Sequence, residues 1–139
     1  MGYKKILVVD DDPDVCEGMN IRLKANHYDT FFAGDAIFSI TEARINKPDL
    51  IILDLGLPAG DGFVVMDRLK SIPALSAIPI IVVSARSALG NKERALKAGA
   101  KAFLQKPVDT AEFLKVIRQA LGEPALANKR VVYDLGFFQ

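Results

Sequence analysis

Apolar positions fall into two patterns along the chain. Residues 6–9, 50–53 and 80–83 are unbroken apolar runs with no polar residue alternating inside them. Such runs predict strands buried on both faces, as in a parallel sheet. Shorter runs at 30–33 and 102–104 complete five predicted strands. Between them the spacing turns helical. A first helix over 13–25 carries Val15, Met19 and Leu23 on one face, with Asp12 as its N-cap and Pro13 at its first position. Gly34 and Asp35 open a second helix with Ile37, Ile40 and Ile45 as its apolar positions, ending before Pro48. A third starts near Asp61 and Gly62 and carries Phe63, Met66 and Leu69. A fourth, polar and short, spans 91–98 and stops at Gly99. The last begins at a capping box, Asp109 with Glu112, and runs to Gly122 with the stripe Phe113, Val116, Ile117, Ala120 and Leu121.

Strand and helix therefore alternate five times. That alternation predicts an α/β fold, a doubly wound five-stranded parallel sheet with helices on both faces and right-handed crossovers. In such sheets ligands bind beyond the carboxyl ends of the strands. The residues there change the picture. Asp10 and Asp11 follow the first strand, Asp54 the third, Ser84 the fourth and Lys106 the fifth. The second strand offers nothing comparable, which makes it an edge. With strand order 2-1-3-4-5 these polar ends converge on one crevice.

Asp54 has two readings. It stands where a buried strand meets a loop punctuated by Gly56, Pro58, Gly60 and Gly62. It either presents a reactive carboxylate or caps loop amides. Three carboxylates against one lysine leave the crevice net negative, which calls for a divalent cation. All-oxygen ligation with room for water favours Mg²⁺. A metal, a lysine, a hydroxyl and an accessible carboxylate suit phosphoryl transfer, with Asp54 as the nucleophile.

Composition narrows the alternatives. The 139 residues suit one domain, 50% hydrophobic and 25% charged. A net charge of +1, with no dense basic run, argues against nucleic-acid binding by this chain. Cys16 is the only cysteine, so no disulfide framework is expected, and it reads as a core residue of the first helix. His27, the only histidine, has no second metal-ligand partner and reads as a turn residue. No apolar run reaches the ~20 residues of a membrane span, and the start lacks the features of a signal peptide. Gly2 is not followed by Ser or Thr at position six, which is Ile6, so no myristoylation motif is formed. The expected location is the cytoplasm.

Over residues 4–121 the sequence resembles the receiver domain of bacterial two-component response regulators. The resemblance rests on Asp10 and Asp11 after Val8 and Val9, on the stretch from Asp54 to Gly62, on Ser84 with Ala85, and on Lys106 with Pro107. It implies a flavodoxin-like sheet and a phosphoryl group accepted on Asp54 from a histidine kinase or a histidine phosphotransfer protein. It implies Mg²⁺ held by Asp11, Asp54 and the Gly56 carbonyl, with Asp10 reaching it mainly through water. Lys106 would contact the phosphoryl group, and its bond to Pro107 would be cis. Ser84 and Phe103 would be the switch pair, remodelling the surface of helix 4, strand 5 and helix 5. Gly56 and Arg86 occupy the two positions that tune phosphoryl lifetime in the family.

The resemblance ends at Gly122, dividing the chain into a receiver over 1–122 and a tail over 123–139. The tail holds Val131, Val132, Tyr133, Phe137 and Phe138, and reads as a docking segment or a truncated linker. The implied partners are a kinase or phosphotransfer protein, a downstream target or effector domain, and a second copy as a homodimer. Two rival functions predict other residues. A pseudo-receiver would lack an acid or the lysine. An aspartyl-phosphate phosphatase would carry a second acid where Gly56 stands.

Overall fold

The computed structural model describes residues 2–58, 61–124 and 137–138. Five strands, β1 (Lys5–Val9), β2 (Asp29–Ala33), β3 (Leu50–Leu53), β4 (Ile80–Ser84) and β5 (Ala102–Gln105), form a parallel sheet in the order β2-β1-β3-β4-β5. The register aligns Val9 with Leu53, Leu53 with Val82 and Val82 with Phe103, so neighbouring strands end together. β3 and β4 are buried throughout, and β1 is buried from Ile6 onward. Their unbroken apolar runs serve two cores at once.

Alternate residues of each strand face opposite layers. Leu7, Val9, Ile51, Leu53, Ile80, Val82 and Phe103 pack under α2 (Ala36–Asn46), α3 (Gly62–Ser71) and α4 (Ala88–Lys97). Ile6, Val8, Leu50, Ile52, Ile81 and Val83 pack under α1 (Pro13–Ala25) and α5 (Thr110–Leu121). Helix starts follow local chemistry. Asp12, Asp35 and Asp61 each accept a backbone N–H inside the first turn, from Asp14, Phe38 and Phe63.

Several sequence expectations are corrected. On α2 only Ile40 of the three isoleucines is buried; Ile37 and Ile45 are 70% and 68% exposed. The helix is apolar on two stripes, and its buried stripe is Ser39, Ile40 and Ala43. α5 buries Thr110, Phe113, Leu114 and Ile117, with Val116, Ala120 and Leu121 only partly covered. Asp109 has N-cap dihedrals but makes no side-chain cap bond, so the capping box is not formed. α4 is distorted at Leu89 and Gly90, where Gly90 has φ +78°, so regular helix begins close to the expected Asn91.

A second, two-stranded sheet lies beyond β5. β6 (Val108–Asp109) pairs antiparallel with β7 (Phe137–Phe138). Residues 131–133, read as part of the docking tail, lie outside the described residues.

Candidate active site

The strand ends build the site through backbone bonds that extend the ladder one residue past each strand. Asp54 N–H donates to the Val9 carbonyl at 2.9 Å, and Asp10 N–H to the Ala33 carbonyl at 3.0 Å. Lys106 N–H donates to the Ser84 carbonyl at 2.8 Å. These bonds place the two acids side by side and set the lysine beside the end of β4. The Lys106–Pro107 peptide is cis.

Carboxylate oxygens of Asp10, Asp11 and Asp54 all lie within 4.8 Å of one another. Asp10 and Asp54 are buried, 4% and 8% exposed, while Asp11 is exposed. Two donors engage Asp10. Its Oδ2 accepts from Lys106 Nζ at 2.7 Å, and its Oδ1 accepts from the Asp12 N–H at 2.9 Å. Burial nonetheless raises the Asp10 pKa above the ordinary value, against the opposing pull of Lys106 and the Asp12 amide. Lys106 is thus paired with Asp10 at the end of the first strand. The site's donor set is oxygen only and net negative. It fits a hard divalent cation such as Mg²⁺, for which Asp10, Asp11 and Asp54 offer converging carboxylate oxygens.

The hydroxyl and the aromatic stand on adjacent strands, β4 and β5. Ser84 is 1% exposed, and its Oγ accepts from the Arg86 N–H at 3.2 Å. Phe103 is 8% exposed and belongs to the core under α2, α3 and α4. Gly56 leaves the flank of Asp54 open: a Cβ there would lie 3.9 Å from Asp54 Oδ2. The guanidinium of Arg86 reaches Asp61 Oδ2 at 3.3 Å, at the N-terminus of α3.

Two features escaped the sequence reading. Asp61 was seen only as a helix start, yet it also anchors Arg86. Gly62 reads in the sequence as one of four loop glycines and prolines, but it packs on the backbone of Asp54 itself. A Cβ on Gly62 would fall 2.6 Å from the Asp54 carbonyl oxygen and 2.7 Å from Leu55 Cα. Cys16 is half-buried rather than core, and its thiol donates to the Asp10 carbonyl at 3.4 Å. Burial, then the Asp10 charge, pushes that thiol up to about 11, which leaves it a poor nucleophile.

Comparison with known proteins agrees with this geometry. Residues 6–118 match the family described as response regulator receiver domain. The KDP operon transcriptional regulatory protein KdpE of Escherichia coli (strain K12) is 39% identical over 116 residues, covering 84% of this chain and 50% of that protein. The DNA-binding dual master transcriptional regulator RpaA of Synechocystis sp. is 37% identical over 117 residues, covering 84% and 48%. This chain thus spans about half the length of the curated relatives it matches. Among solved structures, the receiver domain of the sensor histidine kinase PA1611 from Pseudomonas aeruginosa PAO1 superposes with a TM-score of 0.80 at 26% identity, covering 88% of this chain and 100% of that one. That domain was solved with a magnesium ion coordinated in its active-site cleft. The chain belongs to the response regulator receiver family, a class of signalling domain in two-component systems.

Proposed function

We propose that this receiver takes a phosphoryl group on Asp54 from a phosphohistidine donor and passes the signal on through its α4–β5–α5 surface. The observation that carries the reading is the meeting of three carboxylates within 4.8 Å with Lys106 held 2.7 Å from one of them. Asp54 Oδ attacks phosphorus in line; the donor's N–P bond breaks, and the departing imidazole keeps its electron pair and takes a proton. The product is an acyl phosphate on Asp54. Mg²⁺ would be held by Asp11, Asp54 and the Gly56 carbonyl, with Asp10 nearby, and when bound would supply charge neutralisation at the phosphoryl oxygens. Lys106 adds a fixed positive charge once it shifts from Asp10 toward the new group.

Phosphorylation adds nearly two negative charges and strong acceptor oxygens. Ser84 Oγ turns toward them, vacating space that Phe103 fills by turning further inward. The surface that reads this state includes α4, where Leu89 and Leu96 are 90% and 42% exposed and line an open groove of about 690 Å³. Residues 1–122 form the receiver and 123–139 a docking segment. The partners are a histidine kinase or phosphotransfer protein and a downstream protein or effector domain. Among the described residues no helix is long and apolar enough to cross a membrane, and the cytoplasm, where such kinases present their phosphohistidine, is the working compartment.

Intact mass after incubation with a small phosphodonor and Mg²⁺ tests the reading. One labile phosphoryl adduct is expected, absent in Asp54→Asn. An unmodified wild-type chain would leave a pseudo-receiver; sustained hydrolysis of phosphate esters would make the protein a phosphatase.

A further inference from the structure

One structural element lies outside everything described so far: the small sheet of β6 and β7. β6 begins one residue past the cis peptide of Lys106 and Pro107, and its partner comes from the far end of the chain, with Val108 opposite Phe138 and Asp109 opposite Phe137. The turn it covers is clamped on both sides. Lys106 N–H is bonded to the Ser84 carbonyl at 2.8 Å, and the wholly buried Thr110 accepts at Oγ1 from Arg22 Nε at 3.1 Å. β7 therefore joins the one piece of backbone that connects the site's lysine to α5.

We infer that Phe137–Phe138 is an intramolecular docking strand that occupies the Val108–Asp109 edge and holds the Lys106 turn in its Asp10-paired position. Main-chain pairing of this kind is tolerant of sequence, so what selects the occupant is availability. A segment tethered to the same chain is present at an effective concentration in the millimolar range, which a free competitor rarely matches. Two residues per strand make a marginal ladder in isolation. The strand is thus firm enough to order the turn and weak enough to be released.

Release has a consequence at the site, and here the inference rests on the proposed phosphorylation of Asp54. Lys106 Nζ lies 2.7 Å from Asp10 and must move to meet a phosphoryl group. A strand that favours the unphosphorylated turn is weakened by phosphorylation by the same factor by which its docking disfavours the phosphorylated state at equilibrium. The docking strand then couples the far segment to the chemical state of Asp54.

Hydrogen exchange on the full-length chain tests both parts. The probe is the peptide covering residues 106–112, compared in wild type, Phe138→Pro and Phe138→Tyr. Proline removes the Phe138 N–H and resists strand geometry, whereas tyrosine keeps the backbone unchanged. Exchange of that peptide should rise about tenfold in Phe138→Pro and stay at the wild-type rate in Phe138→Tyr, a tenfold change being the measure of a contact of this size. Equal rates in all three variants, with melting temperatures preserved, would overturn the docking strand. Protection that grows with protein concentration would overturn its intramolecular character in favour of a second copy.

The coupling is read on the same peptide after treatment with a small phosphodonor and Mg²⁺. Its exchange should increase in wild type, and the ratio of phosphorylated to unphosphorylated chain at equilibrium with the donor should be several-fold higher in Phe138→Pro. No increase in a chain that mass shows to be phosphorylated overturns the coupling alone. A chain that takes up no phosphoryl group refutes the earlier reading of Asp54, while the docking strand still stands or falls on the first comparison.

Discussion

At the scale of single residues, the site depends on what two positions do not carry and on where one long side chain goes. Gly62 has no side chain because the start of α3 presses on the Asp54 peptide. Gly62→Ala brings a methyl to 2.6 Å from a backbone oxygen, a clash that must move main chain. A loss of about 1–3 kcal/mol is expected in denaturant titration, along with slower phosphorylation as Asp54 shifts; an unchanged midpoint would refute the close approach. Gly56 leaves the Asp54 carboxylate open to water on one side. Arg86 is paired with Asp61, with both side chains 39% exposed. An ion pair that open to solvent contributes little to stability, so the proposed role of Arg86 is read in the phosphoryl lifetime. Arg86→Ala should shorten the life of the phosphorylated state several-fold with no measurable change in melting. An unchanged dephosphorylation rate would remove Arg86 from that role.

At the scale of elements, caps and loop ends decide how the framework closes. Tyr28, just before β2, is 5% exposed and donates its hydroxyl to Glu123 Oε1 at 2.6 Å, joining the start of the second strand to the chain beyond α5. Burial, then the Glu123 bond and charge, raises its pKa well above the ordinary value of about 10. Above that value the folded state holds a proton that the unfolded chain releases, so stability falls as pH rises. Below it the contribution is whole. Tyr28→Phe should cost about 1 kcal/mol near neutral pH, the usual net value of such a hydrogen bond. The same variant should flatten the decline in melting temperature expected for wild type as pH rises above about 10. Parallel alkaline profiles for the two proteins would show that the bond is not formed.

At the scale of the whole molecule, the crevice concentrates the negative charge of Asp10, Asp11 and Asp54 beside Lys106. Three strand ends converge because the sheet order puts β1 between β2 and β3, and the register ends the strands level. A divalent cation that binds only this arrangement stabilises the fold by mass action, about 2.7 kcal/mol at a hundredfold excess over its Kd. Mg²⁺ should raise the melting temperature by several degrees, and Asp11→Asn should abolish most of that rise. Equal shifts in both proteins would place the ion elsewhere.

Much of this architecture is encoded locally. Short continuous apolar runs bounded by turn residues suit strands buried on both sides, and Asp12, Asp35 and Asp61 cap helices through bonds inside one turn. These depend on neighbours in the chain, so the element order is legible without coordinates; the 2-1-3-4-5 order, and with it the gathering of Asp10, Asp11, Asp54, Ser84 and Lys106, comes with the family resemblance. What remained hidden depends on contacts between distant residues. α2 carries two apolar stripes, and only packing on the sheet selects the one with Ile40. Lys106 could reach several acids, and only the strand-end geometry commits it to Asp10. Gly62 looks like any loop glycine until α3 is laid against Asp54. The pairing of Phe137–Phe138 with Val108–Asp109 leaves no periodic trace, because backbone hydrogen bonding does not require particular side chains.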